Sequence, residues 1–450
     1  LTDIYQKITN TDYPRTKPVS IKRISENDLT NDKQGSFIGS GKDPRDWLEK
    51  AFLLAGWDLG EMKKILPDRT GSVKHQKLAD LEIYEECVRI YNLLCENGSD
   101  DRFDETGRLL NDKALLHQQL NDFSGAAILF EKALEIFKNQ LHKKPDSDVL
   151  QADLIRCYAN KALLSYHSGE MNEAIVHHDQ VIQLIQEKQN PPVDETLRRT
   201  LARTYMNKGL VLRELGKHEE AVETINNAIT IVERMVFEDG RHELADYLAR
   251  TYLSKGNALL YRHEQEKALE FYRKALNIWE RLIYQEGKTH LMLPLAILYV
   301  NYASALIGME KSRDALIFCD QSIEILKRFV ETHGRSEFAP HLFTAMICKG
   351  DALCKLDQTE VALTRYDNAK LICERLIEKE GRYELIGQLA TILERKARVL
   401  IELKRYETLR SELTNIIPSL ESEVQRTGRK ELKQTLSLIH NHLQNLPSND

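Results

Sequence analysis

The chain has 450 residues, 42% of them hydrophobic and 29% charged, with a net charge of −6 and a pI near 6.2. Eleven prolines and 21 glycines are too few for a collagen-like, proline-rich or mostly disordered chain, and they leave room for long helices. The acidic balance excludes a generally basic nucleic-acid binder, and no run of about 18 apolar residues is found that would span a membrane.

Residues 1–45 are polar and rich in Asn, Asp, Lys, Thr and Ser, and they read as a linker or arm. The opening Leu1-Thr-Asp-Ile-Tyr5 lacks the charged and apolar parts of a signal peptide. It also lacks an initiator Met, so a piece of something longer is expected. Gly35 to Lys42 invites a phosphate-loop reading, but Ser36 stands where that loop needs glycine and Asp43 where it needs Ser or Thr. A flexible linker is the expectation there. Residues 46–66 carry Trp47 and Trp57 on one amphipathic helix, Pro67 to Gly71 break it, and 75–96 form another helix ending at Gly98. Residues 46–98 are therefore expected to form an N-terminal helical cap. Asn97-Gly98-Ser99 is a glycosylation sequon by spelling alone.

From residue 99 a repeat takes over. Gly209, Gly256, Ala303, Gly350 and Ala397 are each 47 residues apart, and Ala162 and Ala114 continue the series upstream. A second series, Gly240, Gly287, Gly334, Gly381 and Gly428, keeps the same period, and Gly98, Pro145 and Pro191-Pro192 hold its phase further upstream. A fixed period of this size means stacked supersecondary units. Within a unit the apolar positions recur at helical spacing, as in Tyr252, Gly256 and Leu259, then Ala268, Tyr272, Ala275 and Ile278. Each unit is read as two antiparallel helices, A and B, with the second glycine series at C′ after helix B. Period-two alternation is absent, so no strand is expected.

These residues resemble the tetratricopeptide repeat (TPR). The family's pattern is matched by Tyr205, Gly209, Leu212, Ala221, Ile225 and Ala228, by Tyr252, Gly256, Leu259, Ala268, Tyr272 and Ala275, and by Met346, Gly350, Leu353, Ala362, Tyr366 and Ala369. Leu110, Ala114, His117, Ala126, Phe130 and Ala133 follow it too, while Val181 and Ser322 depart at the last small position. Leu409, Leu413, Ile416 and Pro418 break the rule in the last unit, as a capping terminal repeat does. The resemblance implies an all-α, right-handed superhelical solenoid of about seven helix pairs over 99–427, with 428–450 as a C-terminal capping helix. Its units are longer than the usual 34 residues, by about three helical turns. Leu1 to Arg15 also resembles the segment after the catalytic domain of cyanobacterial kinase–TPR proteins.

Little chemistry accompanies the repeats. The H-R-D, D-F-G, G-x-S-x-G and H-E-x-x-H signatures are absent, so no enzyme and no cofactor are expected. His177-His178-Asp179 is the most metal-like cluster, but His178 occupies the bulky helix-B position and reads as packing. Seven cysteines, at 87, 95, 157, 319, 348, 354 and 373, form no C-x-x-C. They read as small core residues of a protein in the reducing cytoplasm.

The A helices hold the remaining signal. With the small residue as position eight, position two is Arg108, Arg156, Arg203, Arg250, Ile297, Thr344 and Thr391, and position six is Asp112, Asn160, Asn207, Ser254, Asn301, Cys348 and Arg395. This resembles TPR carboxylate clamps and the asparagine ladder of kinesin light chains. The resemblance implies a scaffold whose concave groove takes a protein or peptide, with acidic side chains or a free C-terminus. Asn can donate to and accept from a peptide bond at once, and Arg offers a carboxylate a planar fork. The expected peptide-binding residues are Arg156, Asn160, Arg203, Asn207, Arg250, Ser254 and Asn301, with Tyr166 and Tyr261 supplying apolar area. The competing reading pairs these side chains within the array. Lysines at position seven (Lys113, Lys161, Lys208, Lys255, Lys349, Lys396) are read as structural. A regulatory arm of a bacterial Ser/Thr kinase is the alternative function, and a helical-repeat RNA binder is disfavoured by charge and by few groove aromatics.

Overall fold

Alanine, leucine and long charged residues recur on this chain with few breakers, and the computed structural model is correspondingly helical. It describes residues 43–55, 59–67, 73–96, 103–188, 194–382, 385–427 and 430–444, and no strand occurs among them. The arm, the Gly35–Lys42 loop, Trp57, the sequon, Pro191-Pro192 and Gly428 lie outside the described residues. The described residues divide into two compact units, 43–239 and 240–444.

The first unit opens with α1 (Pro44–Ala55), α2 (Leu59–Ile65) and α3 (Val73–Glu96). The single helix expected over 46–66 is thus two elements. α1 packs on α3, and α3 on the first repeat helix. Trp47 is buried there, its ring edge-on to Tyr91 at 6.1 Å, among Leu48, Phe52 and Ile83. Three A/B pairs follow: α4 (Phe103–Gln119) with α5 (Phe123–Lys143), α6 (Asp148–His167) with α7 (Met171–Lys188), and α8 (Glu195–Glu214) with α9 (His218–Glu233). Asp122, Ser147 and Asp194 cap α5, α6 and α8 by accepting backbone N–H bonds from Gly125, Leu150 and Leu197.

The second unit holds four pairs and a last helix. They are α10 (Ala245–Tyr261) with α11 (Gln265–Glu280), α12 (Met292–Gly308) with α13 (Ser312–Lys327), α14 (Ala339–Cys354) with α15 (Thr359–Glu380), and α16 (Ile386–Glu402) with α17 (Tyr406–Thr427). α18 (Lys430–Gln444) packs on α17. Helix B ends in a π turn in three consecutive repeats, at Arg234–Glu238, Arg281–Gln285 and Arg328–Thr332. Each starts 47 residues after the last. The glycine that follows takes the left-handed conformation expected at C′, with φ of +71° at Gly240 and +73° at Gly287. A short 3₁₀ turn, such as His242–Leu244, then leads into the next helix A.

The turn between A and B has its own periodic feature. Gly169 and Gly216 have φ of +86° and +76°, and the same position in other repeats is left-handed without glycine: Asn121, His263, Glu310, Asp357 and Lys404, at +54° to +64°. Close approach inside each pair comes from the small residue. A Cβ added at Gly209, Gly256 or Gly350 would run into Ile225, Tyr272 or Tyr366 of the partner helix. The large helix-B side chain lies directly on the glycine backbone.

One exclusion needs correcting. The segment Thr289–Gly308 is long and apolar enough to cross a membrane by length and composition. It is a central helix: residues all around α12 are buried, Leu295, Leu298 and Ala305 completely, against α11, α13 and α14. A helix covered on every side reads as apolar on every face.

Candidate functional site

In the first unit, the polar residues of the A helices find partners among themselves. Asp153, on α6, is only 2% exposed and accepts from two position-two arginines. Arg108 Nε lies 2.6 Å from its Oδ2 and Arg156 Nη2 2.6 Å from its Oδ1. Two guanidinium groups offset the cost of one buried carboxylate. Asn160 is fully buried and donates from Nδ2 to Asn111 Oδ1 at 3.0 Å. Both amides are therefore held inside the array. Asn207, on α8, differs. It is half-exposed and makes no side-chain hydrogen bond among the described residues. Arg203, one turn before it, is also half-exposed.

Around these two, Tyr205 receives a hydrogen bond from Gln186 Nε2 at 3.1 Å, and burial raises its phenol above the usual range. Gln186 belongs to an open cleft of about 460 Å³ lined by Asp179, Ile182, Gln183, Gln186 and Glu187. Tyr166 is half-buried, edge-on to His167 at 5.4 Å.

In the second unit, Arg250 Nε pairs with Asp246 Oδ2 at 3.0 Å, and Trp279 Nε1 donates to the other oxygen at 2.7 Å. Ser254 Oγ turns back to the Arg250 carbonyl at 3.0 Å. Asn301 Nδ2 donates to Asn257 Oδ1 at 2.9 Å, an oxygen that also accepts from Tyr272 Oη at 2.8 Å. The next joint repeats the arrangement with Cys348 Sγ 3.6 Å from Ser304 Oγ. The one after has Arg395 Nη1 3.7 Å from Asp351 Oδ2, with Tyr366 Oη donating to Asp351 Oδ1 at 2.7 Å. At these three joints position six thus meets position nine of the repeat before. Asn257, Ser304 and Asp351 were not singled out from sequence, although they too lie 47 apart. Tyr261 is 59% exposed.

The position-seven lysines reach acids on the preceding helix B. Lys208 meets Asp179 and Lys396 meets Asp367, each at 2.5 Å, while Lys161 pairs with Glu131 and Lys349 with Asp320. Lys255 instead lies over the Phe271 ring, 3.9 Å from its centroid. Tyr302 replaces lysine in the Ala303 repeat and stacks on Phe318 at 4.5 Å. This is the structural role read from the sequence.

His178 is 1% exposed, and neither ring nitrogen has a hydrogen-bond partner. Burial, with the Lys208 charge and His177 beside it, pushes its imidazole down to about 3, so it is neutral. Among the described residues no three His, Cys, Asp or Glu side chains are grouped to hold a metal.

A family model described as tetratricopeptide repeat matches residues 200–281, and a second with the same description matches 107–140. No curated protein matches the sequence significantly. Similar solved structures include the apo form of RapI, with 14% identity over 89% of this chain and 98% of that one and a TM-score of 0.49. BtubC from P. vanneervenii has 18% identity over 58% and 94% of the two chains, with a TM-score of 0.46. A Rap protein complexed with competence and sporulation factor has 13% identity over 88% and 98%, with a TM-score of 0.43.

Proposed function

Because the chain is a tetratricopeptide-repeat protein, we propose that it is a non-enzymatic scaffold whose A helices bind an extended segment of a partner protein. The observation that carries this reading is Asn207. Its amide is half-exposed and unspent, whereas Asn160 and Asn301 already give theirs to Asn111 and Asn257. An amide with a free donor and a free acceptor suits the backbone of a strand-like peptide. Arg203, one turn away, meets an acidic side chain or a terminal carboxylate of that peptide. Arg156 and Arg250 hold Asp153 and Asp246, so in this reading they shape the surface rather than grip the ligand.

The test is a panel of extended peptides, acidic or neutral and with free or amidated C-termini, titrated against the wild-type chain and the Asn207→Ala and Arg203→Ala variants. Weaker binding by both variants, salt-sensitive only for the arginine, supports the proposal. Unchanged affinity alongside lowered thermal midpoints would sink it.

A further inference from the structure

We propose that Leu163 is the specificity-determining residue of the groove: it leaves the Asn207 amide open and gives the bound peptide an apolar seat beside it. This rests on the peptide reading of Asn207 and adds the chemistry of the ligand. The peptide is an extended segment with an apolar side chain next to the peptide unit that Asn207 holds.

In the second unit, position nine of one repeat is matched to position six of the next. Asn257 accepts from Asn301, Ser304 meets Cys348 and Asp351 meets Arg395, each pair 44 residues apart. Each of these position-six side chains is engaged from within the array. The residue 44 before Asn207 is Leu163. Its side chain has no donor or acceptor, so a position-six amide in the same register finds nothing there to bond. Upstream, position nine is Leu115, also apolar, but Asn111 at position five supplies the acceptor for Asn160. In the α6 repeat position five is Ala159, which supplies none. Asn207 is accordingly half-exposed and makes no side-chain hydrogen bond.

Two contacts hold α8 in the common register. Tyr205 meets Gln186 as Tyr299 meets Glu280, both 19 residues apart. Lys208 reaches Asp179 as Lys349 reaches Asp320, both 29 apart. A shifted α8 would break both matches, so the opening at Asn207 comes from residue type and not from a displaced helix. The surface beside it is apolar: Leu163, Met206 and Leu210 are partly exposed, and Tyr166, one turn beyond Leu163, is half-buried. In an extended segment the next side chain lies only about 3.3 Å further along, so one falls on this surface. An apolar side chain covering Leu163 removes area from water on both partners, and a polar one gains nothing from it.

The experiment titrates acidic peptides, identical but for a central Leu, Met, Ser or Lys, against the wild-type full chain, Leu163→Asn, Leu163→Ala and Asn207→Ala. The wild type should prefer the Leu and Met peptides by about tenfold. Leu163→Asn supplies the missing acceptor, so it should weaken every peptide by about tenfold, the loss of one hydrogen bond. Leu163→Ala should narrow the preference for an apolar side chain and leave the Ser and Lys peptides as they were. Thermal melts give a readout that needs no ligand. Asn207→Ala should lower the midpoint in the Leu163→Asn background and leave it nearly unchanged in the wild-type background. Circular dichroism checks folding, and Leu163→Ser, patterned on Ser304, replaces Leu163→Asn if that variant does not fold. Peptides that bind the wild type and Leu163→Asn alike, or melts without coupling between the two positions, would overturn this proposal and leave the peptide reading of Asn207 standing. A wild-type chain that binds none of the peptides, or an Asn207→Ala variant that binds them all unchanged, would overturn that reading and this one with it.

Discussion

Asn301 donates its side-chain amide to Asn257 across 2.9 Å, although the two residues are 44 positions apart. The pair ties helix A of one repeat to helix A of the repeat before it. Replacing Asn301 with Ala leaves Asn257 Oδ1 with Tyr272 alone, so a loss of about 1–2 kcal/mol is expected. Urea unfolding of Asn301→Ala, Asn257→Ala and the double variant checks this. The double variant should lose clearly less than the sum.

Asn207 should behave in the opposite way. With no internal partner to lose, Asn207→Ala should change stability by less than about 0.5 kcal/mol. Thermal melts of Asn207→Ala beside Asn160→Ala make the comparison, since the latter breaks a buried amide pair and should cost about 1–3 kcal/mol.

Gly256→Ala should destabilise the α10/α11 pair by about 1–3 kcal/mol, because the new methyl overlaps the Tyr272 ring. The neighbouring pair suggests a rescue. There Ala303 and Cys319 occupy the corresponding positions. Adding Tyr272→Cys to Gly256→Ala should therefore cost less than the two single changes summed, read from denaturant midpoints.

His263 and Glu310 take left-handed conformations, with φ of +58° and +60°, on exposed turns. Glycine accepts that region without the Cβ penalty, so His263→Gly and Glu310→Gly should each stabilise by about 0.5–1 kcal/mol. Gly216→Ala, with φ of +76°, should cost about 1 kcal/mol or more. Differential scanning calorimetry on the three variants decides it.

His178 predicts an acid-sensitive fold. Its pKa falls from the ordinary 6.5 to about 3 in the folded state, so below pH 6.5 the unfolded chain takes up a proton that the folded chain refuses. Stability from this group is complete above pH 6.5 and is lost as pH falls towards 3, by at most about 1.4 kcal/mol per unit. His167, His177 and His341 are depressed in the same direction, so the contribution must be read as a difference. His178→Leu should lose less stability than the wild type between pH 7 and pH 5 in matched urea titrations.

The repeat was legible in the sequence because Gly209, Gly256 and Gly350 answer a hard steric demand, with Ile225 or a tyrosine lying on each. Gly240 and its series were legible for the same reason, since a left-handed C′ residue selects for a missing Cβ. The π turns and the left-handed His263 and Lys404 were not, because no side-chain preference marks them. In the candidate site, the position-two and position-six residues stood out by their period. Their internal partners did not: Asp153, Asn111 and Asn257 become acceptors only when a neighbouring helix brings a donor within 3 Å, and that distance is a property of packing.

The position-seven contacts make the order of the repeats part of the protein's identity. Lys349 is matched by Asp320, and Lys208 by Asp179, each acid lying on the repeat before. Tyr302 has exchanged that ion pair for a stack on Phe318, and Lys255 lies over Phe271, each ring belonging to the same repeat as the residue it meets. The seams are therefore not alike. A shuffled array of these same repeats would set lysines against neutral neighbours and strand acids at the vacated seams. The units look like copies by length and helix pattern, yet they are not interchangeable bricks, and a gene rearrangement that permuted them would have to rewrite every seam it created.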